Sequence, residues 1–472
     1  MRQRLAPLRA LPAMMLIAAG LALSTAAAAD RPAPTSQRKP MHQELDAELA
    51  AVVADPAHPL SGLAVLAVRD GKVVFEGQYG RRRIDPAHPA GGEPVTADTL
   101  FRIASVSKFV VAIGAMRLVE QGRLELDRDV GDYLGYPLRN PHFPDRAITL
   151  RMLMSHTSSL RDDGGYSFPA DVHLKDVLLP GGARHRDGAM WAKNAAPGVY
   201  FTYCNFNWGV VGTVMEAVTG ERFDRLMKTL VLDPLGVPGG FNVSAFAPAE
   251  LASLATLYRK RSEVDGKEIW DSAGPWVPQV DDYGAKPPAP PAGLDAYRPG
   301  SNASFFSPQG GLRTSARGLG RIMLMLMHGG RHEGRPFLRA ATVDALFAEQ
   351  WRYDAAKRNG DHYHGLFRAW ANGPQRFLDT PGVAAKEGAV EGDRLVEGGG
   401  FAAVGHLGDA YGLKSAMVFD RKSKNGMISI VGGVAIDPET TKGRYSSLYR
   451  FEERVLTALH RHAIAGKAER RR

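Results

Sequence analysis

Ser105-Val-Ser-Lys108-Phe-Val-Val-Ala-Ile-Gly-Ala-Met-Arg-Leu-Val119 is a run in which Phe109, Val110, Val111, Ile113, Met116, Leu118 and Val119 leave almost no polar face. That pattern predicts a helix over Ser105 to Gln121, buried nearly all round, so the rest of the fold has to be built about it. A lysine in the first turn of such a helix is out of place.

Outward from this helix, Leu63-Ala-Val-Leu-Ala-Val68 and Lys72-Val-Val-Phe-Glu-Gly77 flank Asp70-Gly71, the chemistry of a tight hairpin turn. A second strand pair is predicted near the other end, where Tyr411 to Phe419 and Met427 to Val431 flank the polar turn Asp420 to Gly426. A helix over Ser446 to His462 follows it. Helical patterns lie between: Met41 to Val53, Thr149 to Met154, Trp208 to Thr219, Phe223 to Leu230, Ala316 to His328 and Ala340 to Glu349. The fold class expected is α+β: an antiparallel sheet built from N- and C-terminal segments, with an inserted helical subdomain and a site at their junction. The domain is expected over residues 45–462. Within it, residues 265–301, with Pro287-Pro-Ala-Pro-Pro291, read as a long irregular insertion.

The chain has 472 residues, 44% hydrophobic and 23% charged, enough for one large core. Residues 1–29 read as a secretory signal, with Arg2, Arg4 and Arg9 ahead of an apolar run from Leu11 to Leu23 and Ala27-Ala28-Ala29 before Asp30. Residues 30–44 follow as a flexible leader. No later segment approaches the ~20 apolar residues of a membrane span, so a soluble periplasmic or extracellular protein is expected. The net charge is +9, three units of it in the signal, and part of the rest lies in a basic tail over 463–472. Aromatic residues do not interleave with that tail, which argues against nucleic-acid binding. A single cysteine, Cys204, excludes an intramolecular disulfide and a thiol zinc cage.

Spacing i, i+3 places Ser105 and Lys108 on one helix face, where a lysine made neutral by burial can take the proton of the hydroxyl. The alternative makes Ser105 a helix cap and lets Lys108 reach solvent. About a hundred residues on, Tyr203 and Asn205 are two apart in an extended stretch and point to one side, so a phenol and an amide can converge on one pocket. Here the alternative is a half-buried aromatic and a cap for the helix entering Trp208. In Gly405-His406-Leu407-Gly408-Asp409, glycines would let a substrate backbone lie against a strand edge. The N–H of Asp409 with that of Ser105 would then form an oxyanion hole. His406 taken singly reads as a structural histidine.

Ser-x-x-Lys, Tyr-x-Asn and His-x-Gly in this order resemble the class C β-lactamase and DD-peptidase superfamily of serine hydrolases. Thr99-Leu-Phe-Arg-Ile-Ala-Ser105, Leu153-Met-Ser-His-Thr-Ser-Ser-Leu160, Asp233-Pro-Leu-Gly236 and Pro308-Gln-Gly-Gly-Leu-Arg-Thr-Ser-Ala316 extend the resemblance over roughly residues 45–460. It implies that Ser105 is acylated, that Lys108 and Tyr203 share acid/base work, and that Asn205 orients a substrate amide. It also implies that His406 supports Tyr203 and the carboxylate end of the substrate. No metal or cofactor is implied. Class C β-lactamases carry lysine where this chain has His406, so the resemblance is nearer to the peptidase, aminopeptidase and esterase branches. The partner expected is a small molecule or short peptide with an ester or amide carbonyl, peptidoglycan and β-lactams included. A non-catalytic penicillin- or peptidoglycan-binding protein is the rival reading; a Ser-His-Asp hydrolase is disfavoured because no Gly-x-Ser-x-Gly elbow occurs. His156 and Arg313 are read as structural, a positioned turn and a surface or inter-element ion pair.

Overall fold

A computed structural model describes residues 40–85, 87–88, 91–283, 286–385 and 390–465, with side chains from His42 onward. The signal, most of the leader and the end of the basic tail lie outside them. Asp70 and Gly71 both take left-handed backbone angles, φ 52° and 71°, closing the hairpin between β1 (Gly62–Arg69) and β2 (Lys72–Arg83). The second strand set is β3 (Ala403–Ala410), β4 (Leu413–Asp420) and β5 (Asn425–Val431). These join as β3-β4-β5-β1-β2, the centre of a nine-stranded sheet. β1 pairs antiparallel with β5, Leu63 opposite Val431, so the two ends of the chain share the middle of the sheet.

Alternation along β1 explains why it is apolar throughout. Leu63, Val65 and Ala67 pack with Leu45 and Leu49 of α1 (Pro40–Val53) and with Val455 and Leu459 of a C-terminal helix (Arg450–Leu459). Ala64, Leu66 and Val68 instead join the core formed with α2 (Val106–Glu120), α3 (Phe206–Thr219) and α4 (Ala316–Met327). A sheet with helices on both faces buries both side-chain sets, and α2 lies between β3 and α3.

Several boundaries differ from expectation. Helix α1 already starts at Pro40, inside the expected leader. The C-terminal helix begins at Arg450 rather than Ser446, because Glu453 holds the preceding loop by accepting from the Ser446 hydroxyl (2.8 Å) and the Arg444 N–H (2.7 Å). It runs on through a wider turn, His460–Ile464, whose Ala463 and Ile464 are buried, so the domain extends past 462. Residues 265–301 are only partly irregular. Leu257–Val264 pairs with Lys267–Trp270 across an Asp265-Gly266 turn and with Trp276–Val280, and alongside Gly433–Val434. These strands bury little, so their charged and aromatic residues lack the apolar alternation that marks a strand. The following stretch is pinned at two points. Arg313 forms a buried two-pronged ion pair with Asp281 (2.7 and 3.0 Å), inter-element but not at the surface. The buried carboxylate of Glu216 accepts from the Tyr297 hydroxyl (2.6 Å) and the Gly300 N–H (2.8 Å).

Candidate active site

Ser105 stands at the head of α2, just after Ala104, whose φ of 46° lies in the left-handed region that costs a non-glycine residue ~1 kcal/mol or more. The turn is held on both sides of Ala104: the Ile103 N–H donates to Leu312 O (2.9 Å) and the Ser415 hydroxyl donates to Ile103 O (2.8 Å). The Ser105 hydroxyl makes no cap bond to its helix. It takes a hydrogen bond from Lys108 Nζ at 2.9 Å.

Lys108 is fully buried and does not reach solvent. Its amine also donates to Asn205 Oδ1 (2.8 Å) and to the backbone carbonyl of Gln309 (2.8 Å). Three acceptors suit an ammonium, while burial disfavours the charge and brings the Lys108 pKa down to about 7, with Asp162 resisting the shift. The two effects leave the proton easily removed near neutrality. Once it is gone, the same 2.9 Å contact runs the other way, the Ser105 hydroxyl donating to the amine lone pair.

Asn205 stands at the head of α3 but does not cap it. The cap is Asp162, from a distant loop, whose carboxylate accepts from the N–H of Asn205 (2.8 Å), the N–H of Phe206 (2.9 Å) and Asn205 Nδ2 (2.9 Å). Both ends of the Asn205 amide are therefore engaged, its oxygen on Lys108. In the resting site its oxygen thus orients the lysine.

Tyr203 lines the cleft beside Ser105, its ring 4.9 Å from the Lys108 amine, and burial holds the phenol protonated, well above its ordinary range. Its ring stacks on His156 (4.5 Å between centroids) and faces Trp370 (5.7 Å) and His406 (6.2 Å). His156 is thus more than a turn: its Nδ1 accepts from the Cys204 N–H (3.0 Å), and its imidazole is the floor under Tyr203. Burial, then the Lys108 charge, push its pKa well down.

His406 is buried, and its Nδ1 lies 2.5 Å from Leu407 O, which makes Nδ1 the protonated nitrogen and leaves Nε2 an acceptor without a protein partner among the described residues. Burial and then Lys108 lower its pKa to about 3. A neutral ring offering a lone pair anchors a carboxylate less firmly than a lysine would. Strand β3 pairs with Gln375–Phe377 only as far as Gly405, and the edge beyond it runs beside the serine turn. The glycine at 408 serves the protein's own backbone before any substrate: a Cβ there would sit 2.6 Å from Ile103 O and 3.2 Å from Ser105 N. Asp409 turns its carboxylate to Lys414 on β4. Ser105, Tyr203, Asn205, His406, Gly408 and Asp409 all line one cleft of about 1820 Å3. Lys108 lies beneath it. Among the described residues no group of His, Cys, Asp or Glu is placed to hold a metal, and no helix is long and apolar enough to cross a membrane.

A family model described as Beta-lactamase matches residues 44–436. The chain belongs to the beta-lactamase family. Within the family it is similar to penicillin-binding protein 4 of Amycolatopsis lactamdurans, 29% identical over 195 residues, 40% of this chain and 49% of that protein. It is also similar to esterase EstB of Burkholderia gladioli, 32% identical over 192 residues, 38% of this chain and 46% of the esterase. The chain thus spans about half the length of these curated relatives. Among solved structures, D-amino acid amidase from Ochrobactrum anthropi SV3 has a TM-score of 0.56 at 18% identity, over 90% of this chain and 97% of that one. The octameric penicillin-binding protein homologue from Pyrococcus abyssi has 0.57 at 21%, over 84% and 74%. At these identities the likeness is one of fold, the mixed α/β architecture with its large antiparallel sheet.

Proposed function

We propose that the protein is an exported serine hydrolase that cleaves an ester or amide through a Ser105 acyl-enzyme. The observation that carries the proposal is the buried Lys108 amine, 2.9 Å from the Ser105 hydroxyl and poised to exchange its proton near neutrality. In this reading neutral Lys108 takes the hydroxyl proton as the Ser105 oxygen attacks the carbonyl. The N–H of Ser105 and one on the β3 edge, that of Asp409, receive the oxyanion. The Lys108–Tyr203 pair returns the proton to the leaving alcohol or amine, and the acyl group stays on Ser105. Water, deprotonated by the same pair, then releases the acid and restores the hydroxyl.

Names among the relatives and neighbours, an esterase and a D-amino acid amidase, fit ester and amide substrates. Neutral His406 disfavours rapid β-lactam turnover, so a nitrophenyl ester is expected to be hydrolysed first and nitrocefin slowly. The test is labelling with a fluorophosphonate and a fluorescent penicillin, read by mass spectrometry; absence of added mass at Ser105 from both refutes the acyl-enzyme. Stoichiometric labelling without turnover of any ester or amide establishes the binding-protein reading instead. Export to the periplasm rests on residues 1–29, and N-terminal sequencing of the periplasmic protein is expected to begin at Asp30.

A further inference from the structure

The cleft holds a cation whose charge neither an ion pair among the described residues nor the catalytic group uses. Arg102 sits on Phe101–Arg102, opposite Arg313 in a short antiparallel pair, an arrangement of like charges that is unfavourable by itself. The charge of Arg313 is consumed by Asp281. Arg102 has no carboxylate within ion-pair distance among the described residues; only its Nε is bonded, donating to Gly310 O at 2.9 Å, and both Nη groups are left for the cleft they line. Tyr411 lays its ring 5.0 Å from the guanidinium carbon, from a backbone position with φ 57° that is costly for a residue with a side chain. Beyond the same turn, Arg259 also lines the cleft, its Cγ packed where a Cβ on Gly412 would stand and its guanidinium without an ion pair among the described residues. Of the other charges on the wall, Asp409 pairs with Lys414 and Glu439 with Lys442, while the wall also carries Glu391, 3.5 Å from His364, and Glu452, neither of them within ion-pair distance of Arg102 or Arg259.

We infer that the Arg102 end of the cleft is a carboxylate subsite, where the free Nη groups bind an anionic group of the substrate while its scissile carbonyl lies at Ser105. The planar pair of donors suits the two oxygens of a carboxylate. Arg102 and Ser105 are at most about 10 Å apart along the backbone, so the anion and the carbonyl are separated by a short spacer, as in amino-acid-derived esters and amides. The anion is thereby assigned to the side of Arg102 and Tyr411, not to His406. The inference rests on the Ser105 reading for its role in turnover, but not for binding.

The experiment compares binding of N-acetyl-phenylalanine, both enantiomers, with the matching carboxamides by ligand-observed NMR, in the wild-type chain, Arg102→Gln and Arg102→Lys. At least one acid is expected to bind about fivefold or more tighter than its amide, with the preference lost in Arg102→Gln, partly kept in Arg102→Lys and weakened by salt. A role confined to bracing Gly310 would weaken acid and amide equally. A preference unchanged by Arg102→Gln, or no preference or no carboxylate binding in the wild type, overturns the assignment. If Arg102→Gln fails to fold by circular dichroism, the wild-type ratio, its salt dependence and Arg102→Lys decide. Repeating the binding in Ser105→Ala separates the two claims: retained hydrolysis there refutes the acyl-enzyme, while the acid-to-amide ratio judges Arg102 alone.

Discussion

In the proposed reading, the chemistry of the site comes down to one proton on Lys108. Because burial lowers the lysine, its neutral form exists above about pH 7, so kcat/KM for a neutral ester is expected to rise with pH through a limb near 7. His406, down near 3, adds no limb above pH 4, and Tyr203 stays protonated across that range. Ser105→Ala and Lys108→Ala are each expected to lose ~10³-fold or more in ester hydrolysis while remaining folded, as members of one unit do; near-wild-type rates would refute the roles. Asp162→Ala strips three N–H donors and the Cys204 thiol of their acceptor, and a loss of about 2 kcal/mol or more, read by denaturant melts, is expected together with slower turnover. Ser105, Lys108, Tyr203, Asn205 and His406 were legible because each stands in a short local pattern. Asp162 was not, since it caps a helix more than forty residues away and sits in an ordinary polar turn. Nor was Gln309, which contributes a backbone carbonyl that no side-chain pattern records.

At the level of elements, the decisive fit is that of β3 against the head of α2. Gly408→Ala puts a methyl group 2.3 Å from the Ser415 hydroxyl as well as against the Ile103 carbonyl. Ser415 can be trimmed, but the backbone cannot, so Gly408→Ala is expected to lower kcat, and the double variant with Ser415→Ala not to restore it; a restored rate would show that the side chain alone was crowded. The hairpins and the buried helices were readable because burial on known faces imposes period and turn chemistry together. The Leu257–Val280 strands were missed for the opposite reason: they face solvent with Arg261, Glu263 and Glu268, and only the Asp265-Gly266 turn signalled them.

Across the molecule, polar groups buried between layers tie the insertion to the core and set the response to acid. Asp281→Ala leaves the buried Arg313 charge unpaired and is expected to cost about 3–5 kcal/mol, whereas Asp281→Ala with Arg313→Met should recover most of it, measured by denaturant unfolding. His156 and His406 are held neutral in the folded state but bind protons at the ordinary value when unfolded. Below about pH 6.5 the unfolded chain therefore binds more protons, and stability should fall by about 1.4 kcal/mol per pH unit for each histidine, for His406 until about pH 3. Replacing His406 with Gln is expected to flatten that slope, and an unchanged slope would refute its burial as a neutral ring. The sheet carries a further consequence, for the order of events during synthesis. β1 emerges early, yet one of its two neighbours, β5, is made near the end, and β3 and β4 shortly before it. Until then α2 has no completed sheet to pack on, and the Ser415 hydroxyl that steadies the Ile103 carbonyl does not yet exist. A growing chain thus carries its serine and lysine long before the strands that frame them exist, and the site is complete only once residues 403–431 have been made.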